Sequence, residues 1–204
     1  MMMVEAGNLE ALGVLSKSAA IIAEGEVFQL AKSNDLTTNV DEYFAVIKAK
    51  TAALFEAATE VGAMAGGADE TAREALKQYG AELGIAFQLV DDVLDYGGVS
   101  GTIGKNVGDD LREGKMTLPV LHALQHATDV DAQFIRKNLG DPEADQATID
   151  RVIGIMKSSG ALQITLDRAY EHANLAKKAI APYLERDGAQ LLSEIADFCV
   201  ERAS

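Results

Sequence analysis

The sequence predicts an all-α fold, and three observations carry that prediction. Alanine, the strongest helix former, occurs 33 times in 204 residues. The three prolines, Pro119, Pro142 and Pro182, all lie beyond residue 118, so no proline interrupts a helix in the first half of the chain. Aromatic residues make up 5% of the chain, too few for sheets built on aromatic and β-branched side chains.

Each element can be placed in order. Asn8 to about Lys32 repeats apolar residues at Leu9, Leu12, Leu15, Ala19, Ile22 and Ala23, then ends in Ser33-Asn34-Asp35. Thr38 followed by Asp41 resembles a capping box, opening a second helix through Tyr43, Ile47 and Leu54 toward Gly66-Gly67. A third helix is expected from about Asp69 to Tyr96. Residues 97–115 contain six glycines and read as the one long irregular segment. Alanine is also missing between Ala86 and Ala123, which marks the end of the third helix and the glycine segment as specialised. Helices resume from Thr117 to His126 and cover most of Asp129 to Ala203. No fixed-period repeat or linker divides the chain, so residues 1–204 are expected to form a single helical domain.

The composition excludes several functions. Eighteen basic against 32 acidic residues give a net charge of −14, which opposes nucleic acid or anionic lipid binding through a broad basic surface. The single cysteine, Cys199, excludes an intrachain disulfide and a structural zinc site. No window holds about 18 uncharged apolar residues, as a transmembrane helix requires. Met1-Met2-Met3-Val4-Glu5 lacks the basic and apolar regions of a signal peptide, so a cytoplasmic location is expected. His122, His126 and His172 are scattered and are assigned no chemistry.

The third helix carries the strongest chemical signal. Gln88, Asp91, Asp92 and Asp95 stand at i, i+3, i+4 and i+7, on one helical face. Ile85, Phe87, Leu89, Val90, Val93 and Leu94 cover most of the remaining circumference, so the helix should be buried on most sides. Three carboxylates in such a stripe must protonate, meet basic side chains, or bind a hard cation. Oxygen ligands without Cys or His point to Mg²⁺ or Ca²⁺. The competing reading is the solvated face of an amphipathic helix. Its narrowness and its lack of i±4 basic partners count against that.

Lysines supply the complementary charge. Lys50-Thr51 sits inside an apolar helix, although a lysine there can also simply extend its ammonium to water. Lys105 and Lys115 each follow a glycine, which permits close approach of a ligand. Gly104-Lys105 is not a Walker loop, since Val99 stands where its first glycine belongs and Asn106 where Ser or Thr belongs. Carboxylates suited to Mg²⁺ and lysines suited to phosphate describe a diphosphate site, and the apolar helices around them suggest a greasy diphosphate ester.

At these residues the sequence resembles the trans-polyprenyl diphosphate synthases. Phe87-Gln88-Leu89-Val90-Asp91-Asp92-Val93-Leu94-Asp95 looks like their second aspartate-rich motif. Gly104-Lys105-Asn106-Val107-Gly108-Asp109-Asp110 and Gly114-Lys115-Met116-Thr117-Leu118-Pro119 follow it in the family's order. Upstream, Ala23-Glu24-Gly25-Glu26, Gln29-Leu30 and Lys50-Thr51-Ala52 match as well. The resemblance runs from about Asn8 to Leu124, and the wording is most similar to bacterial octaprenyl- and decaprenyl-type members.

The resemblance implies an isoprenoid-synthase-type helical bundle around a cavity, and a homodimer. It implies ionisation of an allylic prenyl diphosphate, attack by isopentenyl diphosphate, and loss of a proton. Asp91 and Asp95 would then hold Mg²⁺ with Asp92 assisting. Lys50, Lys105 and Lys115 would neutralise the departing diphosphate, and Thr51 and Gln88 would place oxygen dipoles near the developing cation.

Family members also carry a first aspartate-rich motif, an Arg-Arg pair and an isopentenyl diphosphate site, none of which occurs in this sequence. The 204 residues therefore read as the C-terminal part of a synthase domain without its N-terminal helices, and as inactive alone. The alternative is a non-catalytic subunit of a heteromeric synthase. The Asn8–Lys32 helix is the candidate dimer surface.

Overall fold

The computed structural model describes residues 7–97, 107–186 and 188–203 of the chain. Asn8 caps the first helix, its side-chain oxygen accepting from the Ala11 amide at 3.0 Å. This helix, α1, spans Leu9–Lys32 and buries only Ser18 and Gly25. Leu9, Val27 and Leu30 stay exposed on it.

The second helix begins one residue later than the capping pattern suggests. Asn39 is the cap: its side chain accepts from the Glu42 amide and the Glu42 carboxylate accepts from the Asn39 amide, each at 3.0 Å. Glutamate at the third position reaches back to the cap, whereas Asp41, three residues after Thr38, is too short to do so. Thr38 is instead turned inward and buried. Asn39→Ala is expected to cost about 1 kcal/mol, read as a lowered urea midpoint at constant slope.

The helix expected to run on to Gly66 has a wide turn in it. Val40–Ile47 forms α2, Lys48–Ala52 forms a single π-helical turn, and Ala53–Ala65 forms α3. Glycines on two neighbouring helices explain how the turn is held. A Cβ on Gly25 of α1 would lie 2.7 Å from the Lys50 nitrogen, and one on Gly84 would lie 2.6 Å from the Ala52 Cα. Backbone therefore meets backbone on both sides of the turn, leaving no room for a side chain.

The third predicted helix is α4, Glu70–Gly97, and it is central. Ala86, Leu89 and Val90 are fully buried, and Ile85 and Val93 nearly so. The helix packs most extensively on α3 and on α9, Ala161–Ile180. Buried Ala169, Ala173 and Ala176 keep the α9 seam close. The glycine-rich segment is less irregular than expected where it is described: Asp109–Arg112 forms a short helix, α5, behind the left-handed Gly108. Then come α6 (Leu118–His126), α7 (Asp129–Asn138) and α8 (Gln146–Ser158). A short 3-10 turn at Ala181–Tyr183 leads toward α10, Ala189–Glu201. Every described element is helical.

Two contacts pin α10 to α4. The Tyr79 hydroxyl donates to the Leu192 carbonyl at 2.7 Å, and Arg202 donates to the Phe87 carbonyl at 3.1 Å while its guanidinium lies 4.2 Å from the Phe87 ring centre. Among the described residues no helix is long and apolar enough to cross a membrane.

Candidate active site

Gln88, Asp91 and Asp92 of the α4 stripe face a cavity of about 210 Å³, lined by α1, α2, the wide turn, α4, α5 and the segment leading into α6, whereas Asp95 lies outside its lining. Lys50, Gln88, Asp91, Asp92 and Lys115, all singled out from the sequence, share this lining. Thr51 stands behind it, its hydroxyl donating to the Gln88 side-chain oxygen at 2.7 Å. Lys105 lies outside the described residues.

The three carboxylates differ in exposure: Asp92 is buried, whereas Asp91 and Asp95 are half-buried. Asp92 is 2% exposed. It accepts from the Tyr43 hydroxyl at 2.6 Å and from the Gln88 amide at 2.8 Å. Burial, reinforced by the nearby Asp110 charge, pushes its carboxyl up to about 8 despite those two bonds. Asp95 turns toward α5, accepting from the Asp110 amide at 3.2 Å, and burial with the Asp110 charge lifts it to about 7.

The lysines are held rather than loose. Lys50 donates to Gln29 at 2.7 Å and pairs with Glu26 at 3.2 Å, both on α1. Lys115 reaches Asp110 at 2.7 Å and Glu113 at 2.8 Å. Burial lowers the affinity of the Lys115 ammonium for its proton, but these two carboxylates more than offset it, so the group's pKa stands above the ordinary lysine value.

Among the cavity residues that the sequence did not single out are Asp110, Tyr43 and Lys32, whose ammonium meets Asp35 at 3.0 Å and Glu42 at 2.7 Å. Asp110 lines the cavity and links Asp95 to Lys115. Its signal was the spacing of five residues to Lys115 inside a motif already noted. Tyr43 read as an apolar helix position, and only its distance of seven residues from Lys50 hinted that it shares that face.

Among the described residues, no three acidic or imidazole side chains converge on one point as in an all-protein metal cage. The donor set nonetheless suits a hard cation. Asp91, Asp92 and Asp110 line the cavity, Asp95 joins them through the Asp110 amide, and the burial that raises the Asp92 and Asp95 carboxyls is a cost that a bound cation would offset. Mg²⁺ is commonly bound through one or two carboxylates, with water and substrate phosphate completing its shell.

A family model described as Polyprenyl synthetase matches residues 1–156. The octaprenyl diphosphate synthase of Haemophilus influenzae is 42% identical over 195 residues, covering 96% of this chain and 59% of that protein. The octaprenyl diphosphate synthase of Escherichia coli is 40% identical, covering 98% and 62%. The chain thus spans about three fifths of the length of these curated relatives. A crystal structure of polyprenyl synthase from Caulobacter crescentus, complexed with calcium and isoprenyl diphosphate, superposes with a TM-score of 0.94 at 46% identity, covering 99% of this chain and 62% of that one. With Lys50, Gln88, Asp91, Asp92 and Lys115 gathered around one cavity and these likenesses over nearly the whole chain, the protein belongs to the polyprenyl synthetase family.

Proposed function

We propose that this chain is the diphosphate-binding part of a trans-prenyltransferase that elongates an allylic prenyl diphosphate with isopentenyl diphosphate to a long-chain polyprenyl diphosphate. The observation that carries this reading is the shared cavity, which brings Lys50 and Lys115 to the same space as Gln88, Asp91 and Asp92. The long-chain assignment draws support from the octaprenyl relatives and from the most similar wording of the motifs.

In this reading Asp91, Asp92 and Asp95, with Asp110 beside them, hold Mg²⁺, which when bound supplies positive charge for the departing diphosphate. Lys50 and Lys115 neutralise the oxygens of that leaving group as the allylic carbon–oxygen bond breaks. Glu26 and Gln29 fix the Lys50 ammonium, and Asp110 fixes that of Lys115, so neither must be ordered at the moment of reaction. Thr51 orients Gln88 by donating to its oxygen, while the Gln88 amide donates to Asp92. Gln88 thereby joins the diphosphate end to the acidic stripe. The allylic carbon then bonds to isopentenyl diphosphate and the adduct loses a proton. The reaction requires that water be kept from the cation.

A homodimer through α1 is part of the proposal, supported by the exposure of Leu9, Val27 and Leu30. The sequence carries one Asp-Asp-x-x-Asp motif, so the 204 residues by themselves are expected to bind diphosphate without condensing substrates.

The test is thermal melting of the chain with Mg²⁺ and inorganic pyrophosphate together. Ligand at a hundredfold its dissociation constant should stabilise by about 2.7 kcal/mol, raising Tm by about 5 °C or more. Lys50→Ala should remove most of that shift. An unchanged Tm at millimolar pyrophosphate and Mg²⁺ would refute the assignment.

A further inference from the structure

Asn34 follows the end of α1 and is the sole residue other than glycine with positive φ, 61°, among the described residues. Asparagine tolerates this left-handed conformation better than most residues, which makes it a suitable helix terminator. The usual terminator returns its amide to its own helix. Asn34 instead donates its amide to the carbonyl of Gly114 at 2.8 Å, across to the segment that carries Lys115.

Its carboxamide makes a second link. A Cβ on Gly114 would lie 2.1 Å from the Asn34 Oδ1, and a Cβ on Gly140 would lie 2.0 Å from the same atom. Both glycines are left-handed, with φ of 69° and 76°. The Asn34 oxygen thus occupies the space that either side chain would need, wedged against two bare backbones. Those backbones are themselves joined, because the Leu111 carbonyl accepts from Gly114 at 3.1 Å and from Gly140 at 2.8 Å. Three segments distant in sequence therefore meet at one carboxamide: the end of α1, the loop after α5, and the loop after α7.

Gly114 is bonded directly to Lys115. The Lys115 amide donates to the Asp110 carbonyl at 2.9 Å, and its ammonium reaches the Asp110 carboxylate. The loop has one polypeptide anchor on its α5 side and the Asn34 wedge on its outer side. We propose that Asn34 is a positioning residue for Lys115, acting through Gly114 to set where the ammonium stands in the cavity. The inference rests on the reading of that cavity as a diphosphate site.

The test measures binding of inorganic pyrophosphate, in the presence of Mg²⁺, to the full 204-residue chain by calorimetry. Four proteins are compared: the parent, Asn34→Gly, Lys115→Ala and the double variant. Glycine keeps the left-handed backbone and its amide while removing the wedge, so folding is expected to survive, as circular dichroism would verify. Asn34→Gly should weaken binding about fivefold, because a displaced ammonium loses part of its contact with the anion. In the Lys115→Ala background it should weaken binding no further, since the group it positions is gone. Equal affinity of Asn34→Gly and the parent would overturn the proposal. So would an equal loss in both backgrounds, which marks a general structural role. If the parent itself fails to bind, the diphosphate reading falls and the positioning role falls with it, a result distinct from either of the others.

Discussion

Gly84→Ala is expected to destabilise the chain by about 3 kcal/mol, near the top of the range for overpacking a closed interior. The new methyl carbon would stand 2.6 Å from the Ala52 Cα and 3.1 Å from the Ala52 and Phe55 Cβ atoms. The closest of these is backbone, so relief cannot come from a side chain swinging aside. Either α4 moves out or the wide turn moves away, and Lys50 and Thr51 belong to that turn. Urea denaturation reads the first consequence, and Mg²⁺-pyrophosphate binding under folding conditions reads the second. Gly13, around which a Cβ meets nothing within 4 Å, provides the control, and Gly13→Ala should be neutral or slightly stabilising in its helix. A Gly84→Ala protein as stable as the parent would show that backbone contact does not hold the turn.

Asp92→Asn is expected to abolish much of a pH dependence that the parent shows without metal. The Asp92 carboxyl stands at about 8 in the folded chain, against an ordinary value of 3.8. Between those values the folded state holds a proton that the unfolded state has released. Stability is therefore full below about pH 4, falls by up to about 1.4 kcal/mol per pH unit as pH rises, and levels off above about pH 8. Asp95, lifted to about 7, adds a smaller decline that ends earlier, because it is partly exposed and better screened. Asparagine at 92 has no proton to lose. Its chain should melt higher than the parent at pH 8 and nearly match it at pH 4. Mg²⁺ with pyrophosphate should flatten the parent's profile by favouring the ionised carboxylates. Identical pH–Tm curves for parent and Asp92→Asn, without metal, would contradict this account.

Much of the fold is legible in the sequence. The helix boundary at Lys32 followed from local chemistry, the polar stop at Ser33-Asn34-Asp35. The burial of α4 followed from its apolar circumference, because a helix with one narrow polar stripe has few sides left for water. What stayed hidden depended on contacts between distant segments. The wide turn at Lys48–Ala52 leaves no trace in its own residues, since the glycines that hold it are Gly25 and Gly84. Tyr43 looked apolar because its ring is, and only the Asp92 carboxylate across the cavity uses its hydroxyl. Asn34 read simply as part of a polar stop, as its two glycine neighbours lie some eighty and a hundred residues further on.

The close approach of α1, the wide turn and α4 has a mechanical meaning. Where main chains touch with no side chains between them, there is no soft layer to compress and no rotamer to change. The floor beneath Lys50, Gln88 and Asp92 is accordingly stiff, and under the proposed function a diphosphate headgroup above it would have to conform to the spacing it finds there. On that proposal, tolerance for guests of different length would have to reside farther along the chain that the headgroup carries.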